Sequence, residues 1–293
     1  GIEATSIGGG GGDAGVNAVL GFASNPGSGS DGGSAGNRKV PTHTGVDGSV
    51  IANYNAVLDE LEGRTNPTPP GGQRTAVAAL IAVGGDGGTA GNGGAVDVTH
   101  FGDVRTADGR SHGVFAQSIG GGGGNAAFNV GYIHQRGKAE QSKGFGLAIG
   151  GGTGDGGTGA AVTVANTGDV ATAGADAHGI FAQSVGGGGG NAGYDSLTTG
   201  AEGGQATIEI GRVGGTGGAA GAVDVTARGQ VETAGDRSHG IFAQSVGNGG
   251  GNSSATSASL GTPASGDDKG SSVSVSVGLA GGTGGAAGTV GVD

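Results

Sequence analysis

The sequence predicts an all-β fold, a parallel β-helix (β-solenoid) with loop inserts, one of them containing a short α-helix. Three observations carry this expectation: two segments recur at intervals of tens of residues, each alternates inward and outward positions with a period of two, and glycine-rich stretches separate them. Recurrence decides the matter. Of 293 residues 79 are Gly, 33% are hydrophobic and 3% aromatic. Glycine loses the most backbone freedom on folding and brings no side chain to bury, so such a chain folds only if sparse, regularly spaced apolar side chains share one core. The same composition without a period reads as disorder.

The first recurring segment spans 111–125, 177–191 and 238–252, and holds a His-Gly pair, the run Ile/Val-Phe-Ala-Gln-Ser-Ile/Val, glycines and a closing Asn. The third copy has Asn248 inside its glycine run. The His-Gly glycines stand at 113, 179 and 240, spacings of 66 and 61 residues, and a partial copy opens the chain at Ile2. A second segment precedes each His-Gly pair, over 94–107, 159–173 and 221–234. Such units cover one another's apolar faces in a solenoid. The chain opens and closes inside repeats, so 1–293 reads as a fragment of one continuous solenoid.

Comparing copies assigns the faces. Val104, Val170 and Val231 stay fixed, as do Thr106, Thr172 and Thr233, while the residue between them changes from Arg105 to Ala171 to Glu232. Val and Thr therefore point inward and the variable position faces water. In the other segment Glu3 occupies the place of Phe115, Phe181 and Phe242, which puts Ile, Ala and Ser inward and the three Phe in an outward ladder. Gly, Asn and Asp between strands are expected to supply positive-φ corners, and the five-glycine runs to pack as close backbone.

Between these units lie segments that do not resemble one another, read as loop inserts at 15–72, 126–145 and 192–206. In the longest, 49–63 reads as a helix: Ser49 is an N-cap, Ile51, Tyr54, Leu58 and Leu61 form an apolar stripe, and Gly63 ends it. Its stripe is expected to lie on the solenoid flank, with partner binding as the alternative. The second insert joins Phe128, Tyr132 and Phe145 with Arg136, Lys138 and Lys143, an aromatic and basic patch that either covers the coil or makes a contact site. Because the strand copies are nearly interchangeable, the inserts, above all 15–72, are the expected seat of recognition. The candidate partner contacts are Tyr54, Phe128 and Tyr132 in the inserts, with Phe115, Phe181 and Phe242 on the ladder.

Composition narrows the function. A formal net charge of −11 opposes nucleic acid. With no Cys there is neither disulfide framework nor thiol nucleophile. The apolar stretch 76–83 is far shorter than the roughly 20 residues a membrane-spanning helix needs. His112, His178 and His239 share one repeat position, but Arg110, Asp176 and Arg237 stand two residues before them, so no consistent second ligand accompanies them; turn histidines bonded to backbone are expected. The runs at 84–88 and 150–157 are similar to calcium-binding glycine repeats but lack Asp at a fixed place, and no glycine run leads into a nucleotide loop. No metal or cofactor is expected. Catalysis on such a scaffold would need residues found once, whereas those that stand out here recur in every copy.

The run Gly-Ile/Val-Phe-Ala-Gln-Ser-Ile/Val followed by glycines and Asn resembles a repeat of the large glycine-rich passenger regions of proteobacterial autotransporters, the type V secretion adhesins. The resemblance implies a right-handed parallel β-helix displayed outside the cell at the outer membrane, with roles in adhesion, aggregation or biofilm structure. Expected partners are host or bacterial surface molecules, or like solenoids end to end or side by side as in an extracellular filament. A β-helix enzyme acting on polysaccharide is the remaining alternative.

Overall fold

The structure, a computed structural model, describes residues 1–15, 17–24, 76–136, 142–200, 204–254, 256–260 and 272–293. The first coil holds β1 (Ile2–Ile7), β2 (Asn17–Ser24), β3 (Ala76–Val83), β4 (Val96–Phe101) and β5 (Val104–Thr106). The second holds β6 (Val114–Ile119), β7 (Asn129–Arg136), β8 (Ser142–Ile149), β9 (Val162–Thr167) and β10 (Val170–Thr172). The third holds β11 (Ile180–Val185), β12 (Asp195–Gly200), β13 (Gln205–Ile210), β14 (Val223–Arg228) and β15 (Val231–Thr233). The fourth holds β16 (Ile241–Val246), β17 (Thr256–Leu260), β18 (Ser272–Val277) and β19 (Val290–Val292).

Every fifth strand joins the same sheet. The five sheets run β1-β6-β11-β16, β2-β7-β12-β17, β3-β8-β13-β18, β4-β9-β14-β19 and β5-β10-β15, and all pairings are parallel. Among the described residues the fold is all-β, with no helix, and the chain visits its sheets in a fixed order, the course of a β-solenoid. The helix expected at 49–63 and Tyr54 lie outside the described residues.

Register follows the repeat. Val104, Val170 and Val231 are partners, as are Thr106, Thr172 and Thr233. Val170 is wholly buried, whereas Arg105 and Glu232 are exposed, as the sequence comparison requires. The Thr hydroxyls donate to backbone oxygens of the following turn, Thr106 to Ser111 at 2.6 Å and Thr172 to Ala177 at 2.7 Å, so an inward polar atom does not go unpaired. Valine ladders from the sheets of β4 and β5 meet Val114, Ile180, Ala116 and Ala182 from the sheet of β6 in one apolar core. Each fully buried Val contributes about 1.5–3 kcal/mol. The inward Ser184 bridges to the facing segment, donating to Ala160 O at 2.8 Å and accepting from Gly221 N at 2.9 Å.

One expectation is corrected. The segments 126–145 and 192–206 are not loops leaving the coil: they hold β7 and the start of β8, and β12 and the start of β13, and β2 lies near the start of 15–72. Their sequences diverge because the pairing of β2, β7, β12 and β17 is made by backbone, which tolerates changing side chains. Gly and Asp supply positive-φ corners as expected, and Arg joins them at two places. Among the described residues positive φ occurs at Gly102, Gly168 and Gly229 and, at one recurring turn position, at Arg110, Asp176 and Arg237.

The glycine runs pack as close backbone, as expected. The run leaving β6 and the run returning to β9 lie against each other, and hydrogen bonding repeats every third residue. Gly120 and Gly123 donate to Val185 O and Gly188 O of the next coil's equivalent run. Gly121 and Gly124 donate to Gly91 O and Gly88 O of a returning run. Such a period is that of an extended three-residue helix, which has no internal hydrogen bonds and must satisfy its backbone outside. A β-carbon on Gly157 would overlap the Gly91 carbonyl oxygen, and one on Gly121 the Gly9 carbonyl oxygen. At the third place of the run, Gly122, the nearest atom to an added β-carbon is 4.0 Å away. Side chains enter at such outward places, among them Asn125, Asn191 and Thr216.

These contacts join into a continuous zigzag. Gly88 donates to Gly12, Gly124 to Gly88, Gly154 to Gly124, Gly190 to Gly154, Gly215 to Gly190, Gly251 to Gly215 and Gly282 to Gly251, at 2.8 to 3.0 Å throughout. A second zigzag from Gly9 to Gly285 runs beside it, and at its Asn248 the bond to Gly218 O lengthens to 3.2 Å.

Candidate interaction surface

The outward face of the β1-β6-β11-β16 sheet carries ladders because β6, β11 and β16 repeat the same residues in register. Phe115, Phe181 and Phe242 stack with ring centroids 4.9 and 5.0 Å apart and interplanar angles of 12° and 5°. Beside them Gln117 donates to Gln183, and Gln183 to Gln244, both at 2.6 Å. In the turn before this sheet His112, His178 and His239 stack at 5.0 and 5.1 Å and rest against the Phe ladder, His112 on Phe115 at 5.4 Å. The three Phe are accordingly half-buried rather than fully outward.

The histidines are turn residues bonded to backbone. His112 Nδ1 accepts the backbone N–H of His178, and His178 Nδ1 that of His239, each at 3.0 Å. Burial lowers the pKa of His112; for His178 burial and then the neighbouring rings lower it, against a smaller opposing effect of Asp176. Arg237 grips Asp176 with two bonds of 2.7 and 2.8 Å, which lowers the Asp176 pKa.

The aromatic residues of the second strand pair divide between two sheets. Phe128, just before β7, is 39% exposed and stacks on Tyr194 at 5.2 Å, and Tyr132 is half-buried on β7. Phe145 lies on β8, 37% exposed, in the other sheet. The expected patch is therefore split, and the Phe128–Tyr194 stack, with the Asn125–Asn191 amide bond of 3.1 Å beside it, forms the outer feature of this strand pair. Tyr194 was legible as the copy of Phe128 one repeat later, a match hidden by the divergent residues around it.

A feature the sequence reading missed lies inside the strand-pair lobe. Asp195 and Glu209 are wholly buried, and both acids have raised pKa values through desolvation. Thr199 Oγ1 donates to Gln205 Oε1 at 2.8 Å, a contact that sets β12 and β13 facing each other and brings Asp195 opposite Glu209. Asn129 Nδ2 donates to Asp195 Oδ1 at 2.7 Å and Ser276 Oγ to Glu209 Oε2 at 3.2 Å, while Asp195 Oδ2 and Glu209 Oε1 have no donor. The inward alternation of Asp195, Leu197 and Thr199 was the available signal, but it lay in a segment read as a loop. Among the described residues no group of three or more His, Cys, Asp or Glu is placed to hold a metal ion.

No family model matches the chain, and neither curated proteins nor solved structures give a match.

Proposed function

We propose that this chain is a non-enzymatic structural and adhesive element of an extracellular, cell-surface protein, a solenoid of the kind the autotransporter-passenger resemblance implies. The observation that supports it most is uniformity: the ladders on the outward face repeat the same Phe, Gln and His in three consecutive coils, held 4.9 to 5.1 Å apart. A catalytic groove concentrates chemistry at one place. A repeated face offers the same weak contact many times over, which favours avid attachment to extended or repetitive surfaces. The zigzag of backbone bonds gives the stiffness a stalk needs. Candidate contacts are Phe115, Phe181 and Phe242 on the ladder and Phe128, Tyr132 and Tyr194 on the strand-pair lobe.

Beads coated with the chain test this reading by their adhesion to bacterial and epithelial cells and to one another. Adhesion or bead aggregation that falls several-fold in a Phe115→Ser, Phe181→Ser, Phe242→Ser variant supports it. Beads that bind nothing above an uncoated control, together with turnover of a polysaccharide by the chain, would replace it with the enzyme reading. The filament reading, in which like solenoids stack, would show as end-to-end assembly at rising concentration.

A further inference from the structure

The histidine ladder has chemistry that neither adhesion nor stacking uses. Each Nδ1 that accepts a backbone N–H must be unprotonated, so a neutral ring in this geometry carries its hydrogen on Nε2. That tautomer disfavours metal binding through Nε2. It also ties the contact between successive turns to the charge state of the ring. A protonated imidazole has two N–H donors and no acceptor, and would turn an N–H toward the very amide that now donates to it.

We propose that the ladder is an acid-sensitive seam: protonation of His112 and His178 removes the hydrogen bonds that join the turns of successive coils and loosens this edge of the stack. Three features of the geometry act together. The lost bonds are those to the amides of His178 and His239. The new charges would sit on rings 5.0 and 5.1 Å apart, in mutual repulsion. The turn also holds the left-handed residues Arg110, Asp176 and Arg237, whose conformation depends on the surrounding contacts.

The charged groups around the rings do not offset this. Arg110 and Glu3 line the same recess as His112, so one cation opposes protonation there and one anion favours it. Asp176 precedes His178 but is held by the Arg237 guanidinium. Arg237 precedes His239. The uncharged Phe ladder covers the remaining side.

The sign follows from linkage. His112 and His178 have folded pKa values below the ordinary histidine value, so the unfolded chain binds more protons than the folded one as the pH drops. The stabilisation is complete above the ordinary histidine value and is lost as the pH falls through it to the lower folded value.

The test is a pH titration of the whole chain by NMR, reading the imidazole nitrogens and the hydrogen exchange of the amides at 178 and 239. At about pH 7.5 His112 and His178 should carry the Nε2–H tautomer. On acidification to about pH 5, protection of those two amides should fall ~5- to 10-fold beyond the intrinsic change, as loss of one hydrogen bond implies, while the amide of Val164 keeps its protection. A His112→Phe, His178→Phe variant keeps the stacking and should show low protection at both pH values, with the acid dependence gone. Nδ1–H tautomers at neutral pH, or protection that does not change through the imidazole titration of the wild-type chain, would overturn the proposal. The wild-type titration decides even if the variant does not fold.

Discussion

The two lobes of each coil solve the burial problem differently. In the valine lobe the same side chains recur at every level, and Val162, Val170, Ile180 and Val223 are wholly buried in one apolar core. In the strand-pair lobe the levels differ. Leu80 and Leu197 fill the space over Gly131 and Gly146, and Asp195, Thr199, Thr207 and Glu209 are also buried. Between the lobes the glycine runs have almost no side chains and hold together through backbone hydrogen bonds. A repeated apolar core makes the stack, glycine joins its two lobes, and the strand-pair lobe is where the sequence is free to change.

The largest effect expected is in the glycine runs. Gly157→Val would drive side-chain atoms into the Gly91 carbonyl, backbone that cannot step aside, and should cost about 4 kcal/mol or more or prevent folding. Gly122→Ala, three-residue periodicity placing it outward, should change stability by less than about 0.5 kcal/mol. Urea unfolding midpoints of the two variants check the contrast, and equal losses would break it.

Next comes the valine lobe. Val170→Ala leaves a void in a wholly buried position and should cost about 2 kcal/mol, read from the same unfolding curves.

A subtler effect separates the lobes by pH. Asp195 and Glu209 have folded pKa values raised above the ordinary carboxyl range, so the folded chain holds protons that the unfolded chain has released. Their contribution therefore falls as the pH rises from the ordinary carboxyl value through the raised ones. Glu209→Gln removes one of these acids, so it should flatten that slope and unfold at higher urea than the wild type at about pH 8. An unchanged pH profile would mean that the two acids are compensated in another way. At the small end, Arg237→Ala removes an exposed pair with Asp176 and should leave thermal stability unchanged within error.

Much of the valine lobe was legible in the sequence because three copies vary at one position and hold the flanking ones. Arg105, Ala171 and Glu232 marked water, and their neighbours marked the core. The Phe and His ladders followed from the same comparison. The strand-pair lobe was not legible: Asn129, Asp195 and Thr256 are register partners yet differ in charge and shape, so no repeat announces them as strand. The glycine runs were read as close-packed backbone, but their three-residue period was hidden because nearly every place is glycine. Asn125, Asn191 and Asn252 at the end of each run, with Thr216 in a returning run, betray which third faces outward.

The interlocked glycine runs are the central claim, and amide hydrogen exchange across 186–190 tests it most directly. The amides of Gly186, Gly187, Gly189 and Gly190 donate to Val246, Gly157, Gly249 and Gly154, so they should exchange as slowly as that of Val164, with Gly188 exchanging fast between them. Uniformly fast exchange across the run, at the rate of an unstructured glycine peptide, would contradict the account.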